Sequence, residues 1–359
     1  MTQTLLLLPG WPKTGTSALQ GWLNLNRNAL GKQGICYHSS AEELTPRSEE
    51  ASAGNAFRLA MTLHPKSKPQ IREQVIHEFL MRAKTCQTPW VVFASEAFVG
   101  ATQENLLQLA AACEQAGFQV QVLFYLRSLP EFLLSQWRQR VKLHGESGSA
   151  LASVTRLSRP LRYVKAIRNF QEVWGQPQVK VRLYDRNAFP QGDIIQDFLQ
   201  AMNWQLDTAT FMPLPQQVNA SLNDWGTQVQ RWVNDELRNP ALAGLFSRAL
   251  LAVQPPYPSA GPNQELVDLV TTRFQADQEF LQTLLPQWPV AFAAAPVPLL
   301  QWTTAQEQQV RALARNLTGC KGWQLKVAYR LGSWNLMAWL ARRWLGCCLG
   351  EQAPRLEYP

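Results

Sequence analysis

The stretch LLLLPGWPKTGTS, residues 5–17, decides the fold of this chain of 359 residues. Four consecutive leucines ended by a Pro-Gly pair are typical of a buried parallel strand. Apolar residues at helical spacing follow from residue 17 to residue 30 and predict a helix. A strand, a loop bounded by Gly10 and Gly15, and a helix bring backbone N–H groups and a helix N-terminus to one point. Such an arrangement binds phosphate.

The rest of the N-terminal half repeats the alternation of strand and helix. Short apolar or alternating segments predict further strands, and amphipathic segments between them predict helices. The predicted strands are 90–94, 119–126 and 179–184, and the predicted helices are 57–63, 70–84, 104–116, 129–143 and 193–202. This order predicts an α/β fold of P-loop-like, three-layer type, in which helices flank a central parallel sheet. Ligands then bind beyond the carboxyl ends of the strands, where residues 10–17, Glu96 and Arg127 fall.

The C-terminal third differs in character from the rest of the chain. Beyond residue 210 the sequence turns helical and is interrupted by Pro-rich breaks, of which the Ala- and Pro-rich stretch 286–298 is the expected boundary. We expect a main domain over residues 1–290, with an α/β core at about 4–204 and a helical region at 205–290. Residues 291–359 are expected to form a linker and a basic, Trp-rich helical extension.

Composition limits the classes of protein and partner. Hydrophobic residues make up 46% of the chain, which excludes overall disorder, and the net charge of +8 favours an anionic nucleotide or lipid surface. We expect no nucleic-acid partner. Six cysteines without a CxxC pair and four histidines give no metal-binding pattern, so we expect free thiols and no metal. We recognise no signal peptide and no membrane-spanning run, and we expect a cytoplasmic protein.

The position of the lysine separates two classes of phosphate-binding enzyme. In nucleoside triphosphatases the pattern is G-x-x-x-x-G-K-[ST], with the lysine directly after the second glycine. Here Thr16 stands at that position, and Lys13 lies inside the loop. The predicted strands are followed by Glu96 and Arg127 and supply no Asp for a magnesium ion. These features disfavour a P-loop kinase acting on a small molecule, which stays the first alternative.

The segment PKTGTS, residues 12–17, resembles the loop of the sulfotransferase superfamily, which binds the 5′-phosphosulfate of 3′-phosphoadenosine 5′-phosphosulfate (PAPS). In that family the loop lysine bridges the leaving phosphate and the sulfuryl group, and Lys13 occupies the matching position. The resemblance implies that backbone and hydroxyl groups of the neighbouring residues donate hydrogen bonds to the phosphate. These residues are Thr14, Gly15, Thr16 and Ser17.

A second motif resembles the same family. The family places an Arg after a later strand and a Ser eight residues on, and here Arg127 and Ser135 have that spacing. Both would hold the 3′-phosphate, Arg through its planar fork of donors and Ser through its hydroxyl. Residues 219–223 resemble a loop that closes over the nucleotide, which implies nucleotide contacts for Asn219 and Ser221. The resemblance covers residues 4–204 and is strongest to bacterial carbohydrate-type members.

The resemblance implies transfer of a sulfuryl group from PAPS to a hydroxyl of a carbohydrate or glycolipid by in-line displacement, without a metal. The acceptor hydroxyl needs a base, and Glu96, just beyond a core strand, is the first candidate. Alternatively, Glu96 only orders Lys13 or caps the following turn. His144 and His64 are rival bases. Tyr37, Glu96 and His144 are candidate contacts for the acceptor.

The C-terminal segment 308–350 carries seven basic residues and no acidic one, interleaved with Trp and Leu. A basic helix with Trp and Leu on one side suits an anionic lipid interface. We expect either peripheral contact with the inner membrane face, bringing the enzyme to a lipid-linked acceptor, or a helical hairpin packed on the main domain. A further interpretation of the whole chain is a non-catalytic nucleotide-binding module that this tail recruits to the membrane.

Overall fold

The computed structural model of the protein describes residues 2–11, 13–38, 54–156, 162–214, 221–251, 253–254, 260–289, 299–300, 303–317, 339–340, 343 and 356–357. The chain divides into two compact units. The first comprises Met1–Ser128, Pro160–Asn219 and Phe274–Val290, and the second comprises Leu129–Arg159, Ala220–Arg273 and Ala291–Pro359. The expected domain organisation, with a main domain over residues 1–290 and an extension over 291–359, stays a prediction.

The first unit is built on a sheet of five strands, all parallel, as the sequence predicts for an α/β fold. The strands are β1 (Gln3–Leu8), β2 (Ile35–Cys36), β3 (Trp90–Ala94), β4 (Phe118–Leu126) and β5 (Val179–Leu183). They lie in the order β2-β3-β1-β4-β5. The leucines of β1 are buried because this strand occupies the centre of the sheet, with neighbours on both sides.

Fourteen α-helices are found among the described residues. They are α1 (Thr16–Leu25), α2 (Arg27–Lys32), α3 (Phe57–Thr62), α4 (Pro69–Thr85), α5 (Gln103–Gln115), α6 (Leu129–His144), α7 (Ala150–Arg156), α8 (Arg162–Trp174), α9 (Ile194–Ala201), α10 (Asp224–Leu237), α11 (Pro240–Leu251), α12 (Gln264–Arg273), α13 (Gln275–Leu284) and α14 (Thr304–Leu317). Helices α6, α7, α10 to α12 and α14 belong to the second unit. Of the five strands in this parallel sheet, the sequence predicts all except β2, which has only two residues.

Helices cover both faces of the sheet, which gives the predicted three layers. On one face, side chains of β1, β3 and β4 form a buried cluster with α1 and α9, in which Phe198 is fully buried. Alternate strand residues point to the other face. There Phe93 packs edge-to-face on Phe79 of α4, with ring centroids 5.5 Å apart, and Phe124 packs on Phe170 of α8 at 5.2 Å.

The helix predicted over residues 17–30 is divided into α1 and α2 at Asn26. The side chain of this buried residue donates to the carbonyl of Met212 at 3.1 Å and accepts from the Met212 N–H at 2.7 Å. An amide side chain reproduces the donor and acceptor of a peptide group. Asn26 therefore ties the end of α1 to a segment 186 residues away, which periodicity within residues 17–30 does not indicate.

In its described part the second unit is mainly helical, with one short antiparallel strand pair, Leu299–Leu300 and Leu356–Glu357, and it has its own hydrophobic core. Val229, Val233 and Phe246, from α10 and α11, are fully buried at its centre. Helix α14 packs on α10 through Val310 and through ion pairs, one of which joins Arg311 to Asp235 at 2.6 Å. The first part of the basic C-terminal segment thus contributes to the core of this unit.

Most of the predicted lipid-binding segment 308–350 lies outside the described residues. Of its aromatic and basic side chains beyond residue 317, the structure describes Trp339, which is 51% exposed, and Arg343, which lies over the Trp339 ring at 5.2 Å. Leu340 is buried in the core of the second unit. None of the described helices is both long enough and apolar enough to cross a lipid bilayer. Peripheral membrane contact stays a prediction.

The expectation of free thiols is wrong for two of the cysteines. Cys36, the last residue of β2, forms a disulfide with Cys86, which directly follows α4, and their Cα atoms are 6.1 Å apart. Their separation of 50 residues hides the pairing in the sequence, because only the alignment of β2 beside β3 brings them together. Cys113 is a buried free thiol. The remaining three cysteines lie outside the described residues.

A buried polar cluster fixes α9 on the sheet. Asp197 of α9 accepts from the Tyr125 hydroxyl of β4 at 2.6 Å and from Arg182 Nε of β5 at 2.7 Å. Burial and the hydrogen bond to Asp197 raise the pKa of Tyr125, so its hydroxyl stays a donor. The hydrogen bonds to Asp197 and the negative charge of Asp197 raise the pKa of the Arg182 guanidinium. This cluster joins two strands and a helix behind the loop that follows β1.

We predict that Asp197→Ala lowers the free energy of unfolding by roughly 1–3 kcal/mol, because the buried Tyr125 hydroxyl loses its acceptor. Arg182 contributes little to this loss, since its side chain is 36% exposed and water replaces the ion pair. Urea unfolding measures the change. In the Tyr125→Phe background the same substitution should cost less, and an equal cost in both backgrounds would contradict the assignment.

We also predict that reducing the Cys36–Cys86 disulfide lowers the free energy of unfolding by roughly 2–4 kcal/mol, because the cross-link restricts the unfolded chain. Unfolding in urea, with and without dithiothreitol, measures the effect. The Cys36→Ser/Cys86→Ser double variant should start at the lower stability and show no response to the reductant. A response as large as that of the wild type would assign the effect to another cysteine.

Candidate functional site

The loop between β1 and α1, residues 9–15, lies where the sheet changes the direction of its connections. The chain leaves β1 towards β2, beyond β3, and it leaves β4 towards β5 at the opposite edge. In parallel α/β sheets, ligands bind outside the carboxyl ends of the strands at such a switch point. Three adjacent strands end there: β3 is followed by Glu96, β1 by the β1–α1 loop and β4 by Arg127.

Close packing within the β1–α1 loop requires both of its glycines. A Cβ on Gly10 would lie 2.0 Å from the methyl group of Thr16. Gly15 has φ +77°, and a Cβ there would lie 2.4 Å from Ile194 and 2.7 Å from the Tyr184 ring. Neither position accepts a side chain without displacing these neighbours. The glycine spacing that predicted a phosphate-binding turn therefore corresponds to a tightly packed turn.

The loop is also held from within, on the side of Trp11. The buried Thr14 donates its hydroxyl to the Trp11 carbonyl at 2.6 Å and its N–H to the same oxygen at 3.2 Å. The Trp11 ring packs edge-to-face on Tyr163 of α8, with centroids 4.4 Å apart. Lys13 adopts φ +68°, in the left-handed region that few residues other than glycine occupy. The conformation of Lys13 is thus imposed by fixed neighbours on both sides.

Helix α1 begins at this loop with an N-terminus that no side chain caps among the described residues. Gly15 is its N-cap residue, and its first turn holds no acidic residue. The first N–H groups of a helix have no partner within the helix and carry a partial positive charge. Ser17 is half-buried on this first turn. The end of α1 can therefore receive an anion through backbone N–H groups.

Thr16 and Glu96 connect the two sides of the site. The Thr16 hydroxyl donates to Glu96 Oε1 in a short hydrogen bond. Glu96 begins a 3₁₀ turn, Glu96–Gly100, and the side chain that caps this turn is that of Ser95, which accepts from the Ala97 N–H at 3.2 Å. Ser95 therefore caps this turn. This contact disfavours the alternative in which Glu96 serves as the cap. The hydroxyls of Thr14 and Thr16 are both engaged within the protein, so phosphate would be met by N–H groups and Ser17.

Lys13 and Glu96 are half-buried neighbours whose charges interact. Burial lowers the pKa of Lys13; the Glu96 carboxylate opposes this shift, and Arg127 adds to it. Burial raises the pKa of Glu96, against the Thr16 hydrogen bond and the Lys13 charge. Both shifts bring the pKa values of the two groups nearer to neutral pH. A carboxylate with a raised pKa is suited to accept a proton, and the lysine supplies positive charge beside it.

Arg127 stands on the other side of the loop, directly after β4. Its guanidinium lies over the Tyr184 ring at 5.8 Å, and Tyr184 in turn packs against Gly15. Burial raises the pKa of Tyr163 well above its ordinary value, and Arg127 partly offsets the rise. The two tyrosines contact both the loop and Arg127, yet the sequence analysis assigned neither to the site. Tyr184 could have been found, because it is the last residue of a predicted strand, at the carboxyl edge.

Asn55 is a second residue of this edge that sequence reasoning missed. Its side chain donates to the carbonyls of Val92 at 2.8 Å and His38 at 2.9 Å, and accepts from the Ala94 N–H at 2.8 Å. A Cβ on Gly54, which has φ +87°, would lie 2.0 Å from the Ala94 oxygen. The Gly54-Asn55 pair therefore extends the sheet where β3 ends, next to Glu96. No periodic pattern marks such a single-residue contact.

The other candidate residues are placed elsewhere. Tyr37 is 4% exposed and lies in the core cluster beside β2 and β3, where it packs rather than lines a cleft. Ser135, half-buried on α6, and His144, exposed at the end of that helix, belong to the second unit. Ser221 also belongs to that unit, and its carbonyl accepts from Gln254 at 3.1 Å. Asn219 lies outside the described residues.

Comparisons with known proteins leave the chemistry to be argued from this geometry. No model of a known protein family matches the chain. The chain is similar to an uncharacterized protein of Archaeoglobus fulgidus, with 27% identity over 148 residues. The matched stretch covers 41% of this chain and 39% of the archaeal protein, so the similarity spans about two fifths of that relative's length.

Proposed function

We propose that the protein transfers a sulfuryl group from PAPS to a hydroxyl of a carbohydrate or glycolipid. The observation that carries the proposal is the position of Lys13, half-buried within the β1–α1 loop, with Glu96 and Arg127 as its charged neighbours. A lysine in the loop stands beside a bound 5′-phosphosulfate, whereas a lysine after the second glycine is typical of triphosphate binding. Resemblance in sequence and geometry of the site support the same donor.

The residues present fit the anionic parts of PAPS. The uncapped N-terminus of α1 and the tight turn at Gly15 suit the 5′-phosphate. Arg127, after the neighbouring strand β4, would bind the 3′-phosphate through its planar fork of donors. The assignments of Ser135, Asn219 and Ser221 to the nucleotide rest on the sequence resemblance.

The reaction would be a single displacement at sulfur. The acceptor oxygen attacks sulfur and forms a new S–O bond while the bond between sulfur and the 5′-phosphate oxygen breaks. Glu96 takes the proton of the acceptor hydroxyl, and Lys13 with the helix N-terminus stabilises the charge that develops on the leaving phosphate. The products are the sulfate ester and 3′-phosphoadenosine 5′-phosphate (the bisphosphate). No step requires a metal.

Burial explains how these two groups serve that reaction together. An exposed glutamate has too low a pKa to be an effective base near neutral pH, and desolvation raises that of Glu96. Lys13 would keep the charge that the leaving group needs, because Glu96 opposes the lowering of its pKa by burial. The hydrogen bond from Thr16 holds the carboxylate against the loop. The pKa of Lys13 thus depends on the charge of Glu96, and the pKa of Glu96 depends on the charge of Lys13.

We predict that Lys13 and Arg127 contact different parts of the donor product. Isothermal titration calorimetry with the bisphosphate and with adenosine 5′-phosphate separates them. Lys13→Ala should weaken both ligands, whereas Arg127→Ala should weaken only the bisphosphate, by roughly 10- to 100-fold, since a charged hydrogen-bond pair is lost. Lys84→Ala, an exposed lysine of α4, is the control. Tight binding of ATP-Mg without binding of the bisphosphate would establish a kinase-type site instead.

We predict a bell-shaped pH dependence for transfer from radiolabelled PAPS to acceptors in a cell-envelope extract. The rate should rise with pH as Glu96 loses its proton, above the ordinary range for a glutamate, and fall as Lys13 loses its proton, below the ordinary range for a lysine. Glu96→Gln should abolish the acidic limb and lower the rate by roughly 10²- to 10⁴-fold. Glu114→Gln, on the exposed side of α5, should behave as wild type.

The same experiment tests the rival role for Glu96. If the carboxylate only orders Lys13, Glu96→Gln should weaken the bisphosphate and leave the acidic limb in place. Unchanged transfer by Lys13→Ala would contradict the role proposed for Lys13. Binding of the bisphosphate by the wild type without any transfer would indicate a binding module without catalytic function.

A further inference from the structure

A large cleft opens on the first unit beside the 3₁₀ turn that begins at Glu96. Its volume is about 1210 Å³, and its walls come from α3, the segment that joins α3 to α4, the residues that follow the turn, and α8. All the lining residues belong to the first unit. A cleft of this size accommodates a ligand larger than a single sugar ring.

Val99 and Gly100, the last two residues of the turn Glu96–Gly100, line this cleft, and the turn is firmly held. His64 bonds the Ala97 carbonyl through Nε2 at 2.7 Å. A Cβ on Gly100 would lie 2.4 Å from the His64 ring, so the ring packs directly on the backbone there. A 3₁₀ helix rises about 2 Å per residue, so the backbone at Gly100 is about 8 Å along the turn from that at Glu96. A ligand in the cleft would have to extend about 8 Å along the turn to reach the proposed base.

The charges at the cleft are mostly positive. Lys66, Lys68 and Lys165 line it and form no ion pair with any residue that the structure describes. Arg58 also lines it, but its guanidinium binds Glu78 at 2.9 Å. The acidic residue in the lining is Glu104. Three uncompensated ammonium groups against one carboxylate favour an anionic ligand.

The same cleft exposes apolar side chains. Phe57 is 41% exposed, Met61 is 42% exposed and Ile71 is 50% exposed, and all three contribute to the lining. Exposed apolar groups that line one concave surface are typical of a binding site. Phe57 and Met61 are four residues apart on α3, so their side chains stand on the same side of that helix. A nucleic acid would match the charge, but an apolar chain matches these three side chains better.

We propose that this cleft binds the acceptor and that the acceptor is an amphiphilic glycoside with an acidic group. The lysines would hold the carboxylate or phosphate of the acceptor, and Phe57, Met61 and Ile71 would cover its apolar chain. A sugar hydroxyl would then reach along the turn towards Glu96. This inference rests on the proposed function for its chemistry, whereas the binding itself follows from the cleft.

Three soluble probes test the two halves of the proposal, each used below the concentration at which it forms micelles. Octyl β-D-glucuronide carries both features, octyl β-D-glucoside lacks the acid, and methyl β-D-glucuronide lacks the chain. By calorimetry, the full-length protein should bind octyl glucuronide about tenfold or more tightly than either other probe. Equal affinity for all three, or none for octyl glucuronide, would overturn the proposal.

Variants locate the binding in the cleft. Lys66→Glu/Lys68→Glu should weaken octyl glucuronide by about tenfold and leave octyl glucoside unchanged. Ile71→Ser should weaken both octyl glycosides and leave the methyl glucuronide unchanged. Lys84→Glu on the exposed side of α4 is the matched control, and an equal effect of this variant would overturn the assignment. Thermal unfolding of each variant verifies that the fold is retained.

The donor is titrated separately in the same samples, so that the two proposals fail distinguishably. Binding of the bisphosphate without binding of octyl glucuronide overturns the cleft assignment and leaves the sulfotransferase proposal intact. With PAPS present, octyl glucuronide should gain the mass of one SO₃ group. The Lys66→Glu/Lys68→Glu variant should raise the KM for this acceptor while kcat changes little. A loss in kcat alone would overturn the binding role of the lysines.

Discussion

The Thr16 hydroxyl donates a hydrogen bond to the Glu96 carboxylate, and this bond joins the segments that follow β1 and β3. The geometry of the site depends on it. Thr16 begins α1, and its methyl group occupies the space that a side chain at residue 10 would need. The glycine, the threonine and the glutamate are therefore mutually constrained. Because the threonine sits where other phosphate-binding loops carry lysine, the cation must come from within the loop.

Burial then gives these polar groups their chemical character. Lys13 and Glu96 are both half-buried, so desolvation draws each towards its neutral form, while the charge of the other favours its charged form. Such a pair would be costly to maintain in a site that served only stability. Behind it, the hydrogen bonds of Asp197 hold α9, whose Ile194 packs on the loop. The rigid support and the pair with shifted pKa values make this edge of the sheet the candidate functional one.

The sequence predicts those parts of the fold and the site that depend on local pattern. The leucines of β1, the glycines of the loop, and the charged residues that follow β3 and β4 can each be read from short segments, and their convergence follows from parallel strands. The sequence does not predict Asn55, which replaces a backbone partner at a distance of 39 residues, or the disulfide. The contacts of Asn55 and the disulfide both depend on which strand lies beside β3. That strand, β2, has only two residues and is too short to show periodicity.

The disulfide has a consequence for how chains with this fold could diversify. It closes a loop from Cys36 to Cys86 that contains α3 and α4 and a large part of the cleft wall. The entropy of closing a loop grows only slowly with its length, so a segment pinned covalently at its base tolerates insertions and exchanges. The β1–α1 loop, Glu96 and Arg127, which form the proposed donor site, lie outside this loop. Natural variation could therefore replace the proposed recognition surface as one segment and leave the β1–α1 loop unchanged.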